Sequence, residues 1–198
     1  MKIYLIRHGQ TDWNLQGRFQ GREDIMLNET GILQAYECGK ALAGEDFKAV
    51  ITSPLARARK TAEIIAEVVG AKQFIVDEAI TERDFKTISG MTKEERDAFY
   101  ASGGIDDKEP FEDLCRRMMD GIRKYAEQFY DNNIIMVSHG ASINSVVSVL
   151  SNGETGTGKL LLKNTCINII NYSKDGQLKL EHINLTAEEY KAIKGRIN

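Results

Sequence analysis

Short uninterrupted apolar runs alternate along this chain with longer segments whose apolar positions recur every third or fourth residue. Ile3-Tyr4-Leu5-Ile6 reads as a short buried strand, and Lys48-Ala49-Val50-Ile51, Phe74-Ile75-Val76 and Ile134-Ile135-Met136-Val137 read as further strands. After Asn28-Glu29-Thr30, which supplies helix-start chemistry, Ile32, Leu33, Tyr36, Gly39 and Leu42 fall at helical spacing. A helix from Ala56 carries Ala58, Ala62, Ile65, Ala66 and Val69 on one face and stops at Gly70. From about Thr92 to Tyr130 the chain is helical and polar, broken at Ser102-Gly103-Gly104; Phe111, Leu114, Met118, Tyr125 and Phe129 give its second half an apolar face. A further helix runs through Ile143, Val146, Val147 and Leu150, and Leu160-Leu161-Leu162 is strand-like. Cys166 to Tyr172 and Leu178 to Ile183 pair as a hairpin across Lys174-Asp175-Gly176. The pattern predicts one α/β domain over residues 1–198, with a helical excursion at about 86–130.

Composition narrows the partners without naming one. A 42% hydrophobic, 28% charged chain of net charge -3 gives no electrostatic footprint for nucleic acid or a membrane surface. No apolar span is long enough to cross a bilayer, and Lys2 is followed by too short an apolar run for a signal peptide. Cys38, Cys115 and Cys166 are odd in number and widely spaced, which suits buried thiols in a reducing cytoplasm rather than disulfides or zinc.

Chemistry gathers where strands end. The first run ends in Arg7-His8-Gly9 and the 134–137 run in Ser138-His139-Gly140, so two of the chain's 3 histidines share one context. Ser53 leads to Arg57 after the second strand, and Glu82 follows the third. In open α/β sheets ligands bind outside the carboxyl ends of the strands. Two imidazoles, two guanidiniums and a carboxylate converging there suit phosphoryl transfer through a covalent intermediate. A neutral imidazole can attack phosphorus, guanidinium forks match phosphate oxygens, and a carboxylic acid can protonate the leaving oxygen. Arg57 stands in the first turn of its helix, where the dipole disfavours a cation, so the position asks for an anionic partner.

These residues carry a resemblance. Arg7-His8-Gly9-Gln10-Thr11 looks like the R-H-G-[EQ]-T signature of the histidine phosphatase superfamily, phosphoglycerate mutase-like branch. Arg18-Phe19-Gln20-Gly21, the helix start Asn28 to Ala35, the block Ser53 to Ala62 and Val137-Ser138-His139-Gly140 continue it in order. The resemblance implies a three-layer α/β/α fold with a mostly parallel sheet. It implies that His8 is the phosphorylated nucleophile, with Arg7, Arg57, His139 and Asn14 holding phosphoryl oxygens and Gln20, Gly21 and Gly140 at the same pocket. Glu82 takes the acid and base role by register, with Asp77, Glu78 and Asp84 as rivals. Neither metal nor cofactor is implied, since cationic side chains do what Mg²⁺ does in kinases. The chain departs from the family after Glu82, where Lys86, Ile88, Ser89 and Gly90 stand, and at Lys108-Glu109-Pro110. It also lacks the usual histidine beyond Asn184-Leu185-Thr186.

The resulting expectation is a cytoplasmic phosphomonoesterase acting on small phosphorylated metabolites, with activity falling below about pH 6 as His8 protonates. The alternatives are a 2,3-bisphosphoglycerate-dependent mutase, an α-ribazole phosphatase, and a silent phosphate-binding module; a homodimer through the sheet edge is compatible with each. Several residues take plainer readings. His182, Arg59 and Lys60 are surface residues, Trp13 packs beneath its loop, and Arg116-Arg117 lie on a solvated helix face. Gly153 to Lys159 matches a phosphate-loop spacing, but Leu160 follows where Ser or Thr would bind Mg²⁺, and the segment follows a helix rather than a strand.

Overall fold

The computed structural model describes residues 1–197. Six strands form one sheet: β1 (Lys2–Arg7), β2 (Phe47–Thr52), β3 (Gln73–Val76), β4 (Asn133–Ser138), β5 (Ile167–Tyr172) and β6 (Leu178–Leu185), in the order β3-β2-β4-β1-β5-β6. The four strands from β3 to β1 are mutually parallel, and β5 and β6 add an antiparallel hairpin. The principal helices are α1 (Asp12–Leu15), α2 (Glu29–Leu42), α3 (Ala56–Val69), α4 (Lys93–Ala101), α5 (Phe111–Gln128), α6 (Gly140–Leu150) and α7 (Ala187–Ile197).

The uninterrupted apolar runs of β1 and β4 arise because helices cover both faces, whereas the edge strand β3 leaves Phe74 and Val76 exposed. Ile3, Leu5, Ile134 and Met136 pack against Leu114, Met118 and Ile122 of α5 and Ile143, Val146 and Val147 of α6. The alternate residues Tyr4, Ile6, Ile135 and Val137 pack against Cys38 and Leu42 of α2, Ala58, Ala62 and Ile65 of α3, and Tyr190 of α7. Alternation of side chains across the pleat thus builds two cores from each central strand. The architecture is the expected three-layer α/β/α. Of the predicted excursion, only the start through α4 projects from the layers; α5 belongs to the sheet's own covering.

Leu160-Leu161-Leu162 is not a strand. Its carbonyls find side-chain donors instead of a ladder: Asn144 to Leu160, Asn184 to Leu161 and Arg7 to Leu162. Hydrophobicity alone did not distinguish these two solutions to backbone pairing.

Strand order sets up the site. β1 and β4 are parallel neighbours with Arg7 opposite Ser138, so the next residues, His8 and His139, leave the sheet side by side. The chain leaves β1 toward the α2 face and β4 toward the α6 face, which opens a crevice between these two strand ends. Two glycines let the loop after β1 lie flat on the start of α2. A Cβ on Gly9 would meet the Gly31 carbonyl oxygen at 2.4 Å, and one on Gly31 would meet the Gln10 carbonyl oxygen at 2.2 Å. Both obstacles are backbone, which cannot swing aside. Gly31→Ala should therefore destabilise the fold by ~1–3 kcal/mol, an overpacking cost; an unchanged midpoint in urea denaturation would contradict this contact.

Candidate active site

His8 and His139 are both buried, with ring centroids 5.3 Å apart and planes inclined at 54°. The partner of the His8 ring assigns its proton. His8 Nδ1 lies 2.7 Å from the Gly9 carbonyl oxygen, which can only accept, so Nδ1 carries the hydrogen and Nε2 keeps its lone pair. His139 Nε2 lies 2.8 Å from Ser53 Oγ. Ser53 Oγ also accepts from Leu55 N at 3.3 Å; with its own hydrogen given to Nε2, the proton of a neutral His139 would stand on Nδ1, a buried atom with no hydrogen-bond partner among the described residues. Burial first, then the Arg57 and Arg7 charges, hold His8 well below the usual histidine value. Burial, Arg57 and His8 do the same for His139.

Arg57 is wholly buried on the first turn of α3. Its Nη1 donates to Glu23 O at 2.6 Å and Nη2 to Gly21 O at 2.8 Å, while Nε has no partner. Burial lowers its pKa to about 10, the fields of Glu82 and Asp24 opposing the shift. Arg7 donates to Leu162 O, and its Nε is likewise buried and unpartnered. Arg7 Nε and Arg57 Nε, with His139 Nδ1 in that tautomer, are thus three buried donors around one imidazole that lack acceptors among the described residues. Buried donors are normally paired, so this cluster is chemically able to receive an oxyanion.

Asn14 completes this wall. Its Oδ1 accepts from Thr11 N at 3.1 Å, Thr11 Oγ1 at 3.1 Å and Asn164 Nδ2 at 3.3 Å, which orients the amide and leaves its NH₂ for the cleft. Glu82, only 7% exposed, lines the same cleft and sits at the N-terminus of α6. Its Oε1 accepts from Arg83 N, Ser142 N and Ser142 Oγ at 2.9, 3.0 and 3.0 Å, and its Oε2 accepts from Ala141 N at 3.2 Å. Ser142 Oγ also lies 2.8 Å from Thr81 O. The rival carboxylates are engaged elsewhere. Asp77 binds Lys124 and Tyr125, Glu78 accepts from Thr81, and Asp84 pairs with Lys86.

The cleft holds about 640 Å³ and is lined by Arg7, His8, Asn14, Gln20, Arg57, Glu82 and Gly140 among others. Arg83 and Phe85 also line it, as do Arg96, Tyr100 and Lys108 of the excursion. His139 and Gly21 do not line it: His139 lies against His8, and Gly21 acts through the carbonyl that holds Arg57. Gly21 has φ +52°, and a Cβ there would meet Ser89 Oγ at 2.7 Å. Sequence reasoning passed over Ser142, Asn164 and Thr61, whose hydroxyl accepts from Gly9 N and donates to Arg57 O. Short polar residues next to the motifs were the available signal. The solvated face expected for Arg116-Arg117 holds for one of the two: the Arg117 side chain is 20% exposed and turned inward, while that of Arg116, at 69%, lies in solvent.

A doubly covered sheet with an anion-shaped cluster of donors around two histidines defines a phosphoglycerate mutase-like α/β protein. The chain belongs to the histidine phosphatase superfamily (branch 1), whose family model matches residues 3–186. It is 36% identical over 173 residues to the uncharacterized phosphatase PhoE of Bacillus subtilis, covering 87% of this chain and 89% of that one. A metal-independent phosphoserine phosphatase of Arabidopsis thaliana is 31% identical over 186 residues, 85% of this chain and 75% of its own. Among solved structures, a phosphoserine phosphatase from Entamoeba histolytica in complex with 3-phosphoglyceric acid superposes with a TM-score of 0.81 at 33% identity, covering 93% and 97% of the two chains.

The buried histidines tie stability to pH. Their folded-state pKa values lie below the unfolded value, so below about pH 6.5 the unfolded chain binds more protons than the folded one. Stability is therefore expected to fall as pH drops from 7 to 5.5, and inorganic phosphate is expected to oppose the loss by binding the folded state. Thermal melts across this range test it; a slope that persists unchanged in the His8→Asn, His139→Gln double variant would assign the effect elsewhere.

Proposed function

We propose that the chain is a phosphomonoester hydrolase working through a phosphohistidine at His8. The observation that carries this reading is the lone pair of His8 Nε2 amid three buried donors without acceptors. A phosphate group seated there would receive hydrogen bonds from Arg7, Arg57, His139 and Asn14. Its charge would offset a buried cluster in which Glu82 is the neighbouring carboxylate. A cleft of about 640 Å³ exceeds what one phosphate fills, which supports a small organic phosphomonoester as substrate.

In the first half-reaction the Nε2 lone pair attacks phosphorus, the bond from phosphorus to the ester oxygen breaks, and Glu82 delivers a proton to the departing alcohol. In the second half a water gives its proton to Glu82 and attacks the phosphoryl group. The P–N bond breaks, and inorganic phosphate leaves. The cationic cluster stabilises the charge spread over the three equatorial oxygens in both steps. The names of the relatives, phosphatases and phosphoglycerate mutases alike, are compatible with this chemistry.

Because burial and two arginines keep His8 neutral, the acid limb of kcat/KM should lie below the pH of about 6 that an ordinary histidine would give. His8→Ala should abolish turnover of p-nitrophenyl phosphate, and rapid acid-free quenching of the unmodified protein should show acid-labile phosphate on His8. Turnover near the parent rate in His8→Ala would overturn the mechanism. Glu82→Gln should lower kcat by ~10²–10⁴-fold.

A further inference from the structure

Arg117 stands on α5, outside the cleft lining, yet its guanidinium is the most heavily bonded cation near Glu82. Nη1 donates to the carbonyls of Ala79 and Thr81 at 3.0 and 2.6 Å, and Nη2 donates to the carbonyl of Glu82 itself at 3.1 Å. On its other edge Nε and Nη2 grip Glu109 Oε1 and Oε2 at 2.7 and 2.9 Å. Glu109 then holds the far side of the same segment. Its Oε2 accepts from Asp84 N, its backbone N–H donates to Asp84 O, and its carbonyl accepts from Arg83 Nε. Residues 79–84 have no ladder partner, since β3 ends at Val76. Their backbone is fixed from outside, and Arg117 with Glu109 supplies much of that fixation. The Glu82 carboxyl is gripped from the opposite side by the start of α6.

We infer that Arg117, braced by Glu109, is a positioning residue that sets the distance between the Glu82 carboxyl and the ester oxygen of a substrate on His8. This rests on the reading of Glu82 as the proton donor. Neither Arg117 nor Glu109 lines the cleft, so neither is offered as a substrate contact. The physical basis is leverage. Three carbonyls on one planar fork leave the Glu82 peptide little rotation. Without the fork that peptide can turn, and a displacement of about 1 Å at a reacting group can lower a rate by ~10²-fold.

Leaving-group dependence separates positioning from mere support of the fold. Phenyl phosphate and p-nitrophenyl phosphate are close in shape, but phenolate needs a proton far more than p-nitrophenolate does. Arg117→Met is expected to lower kcat/KM for phenyl phosphate by ~10–100-fold, and that for p-nitrophenyl phosphate much less. Glu82→Gln should show the same bias more strongly, and Arg117→Lys should recover part of it. Equal losses on both substrates in Arg117→Met, or no loss on either, would overturn the proposal while leaving the function intact. Absence of the bias in Glu82→Gln would overturn the reading of Glu82, and this inference with it. Thermal melts accompany each variant. Should Arg117→Met fail to fold, Glu109→Gln, which keeps shape and removes charge, carries the same comparison with the same outcomes.

Discussion

Positive charge buried without an adequate counter-ion is the constraint around which this molecule is arranged. Arg7, His8, Arg57 and His139 meet at the ends of two neighbouring strands, and Glu82 is the carboxylate acting on both arginines. Removing ions from water costs several kcal/mol each even after relaxation. The chain offsets this in two ways. It leaves both histidines neutral, and it gives the arginines backbone carbonyls, those of Leu162, Gly21 and Glu23, in place of carboxylates. Carbonyl dipoles hold a guanidinium in place without cancelling its charge. The remaining attraction is available to a dianion.

That arrangement explains features of the fold distant from any chemistry. The parallel register of β1 with β4 brings the histidines together, and β2 on the far side of β4 delivers Ser53 to His139. The crossing of Gly9 and Gly31 seats the loop after β1 close enough for Gly9 N to reach Thr61. Thr61 is one turn from Arg57 and bonds its carbonyl, so the segment after His8 and the Arg57 helix share one short chain of contacts. The loop at residues 20–24 is tied in from the other side through Arg57.

The layers and the central residues were legible because they rest on local pattern. The apolar runs of β1 and β4 matched two covered faces, and Arg7, His8, Arg57 and His139 stood within contiguous motifs. What escaped depended on contacts distant in sequence. Nothing around Arg117 signals that its helix is rotated toward residues 79–84, since the same periodicity serves a solvated and a half-buried arginine. Leu160 to Leu162 has a strand's composition and no strand to pair with. Asn164 reaches the His8 carbonyl across most of the chain's length, which no spacing rule anticipates. Gly21 was placed near the phosphate site by resemblance; its contribution is the carbonyl that holds Arg57.

The Ser142 hydroxyl lies within bonding distance of two acceptors, Thr81 O and Glu82 Oε1, but has one hydrogen. With Glu82 ionised, that hydrogen points to the carboxylate. With the proton on Oε1, the hydroxyl turns to Thr81 and accepts from Glu82 instead. Either state is fully hydrogen-bonded with every heavy atom in the same position. Torsion about a single C–O bond is then all the reorganisation that a proton arriving at or leaving Glu82 requires, and such rotation is far faster than a backbone shift. Under the proposed mechanism, the two half-reactions would then need no movement of the backbone around Glu82.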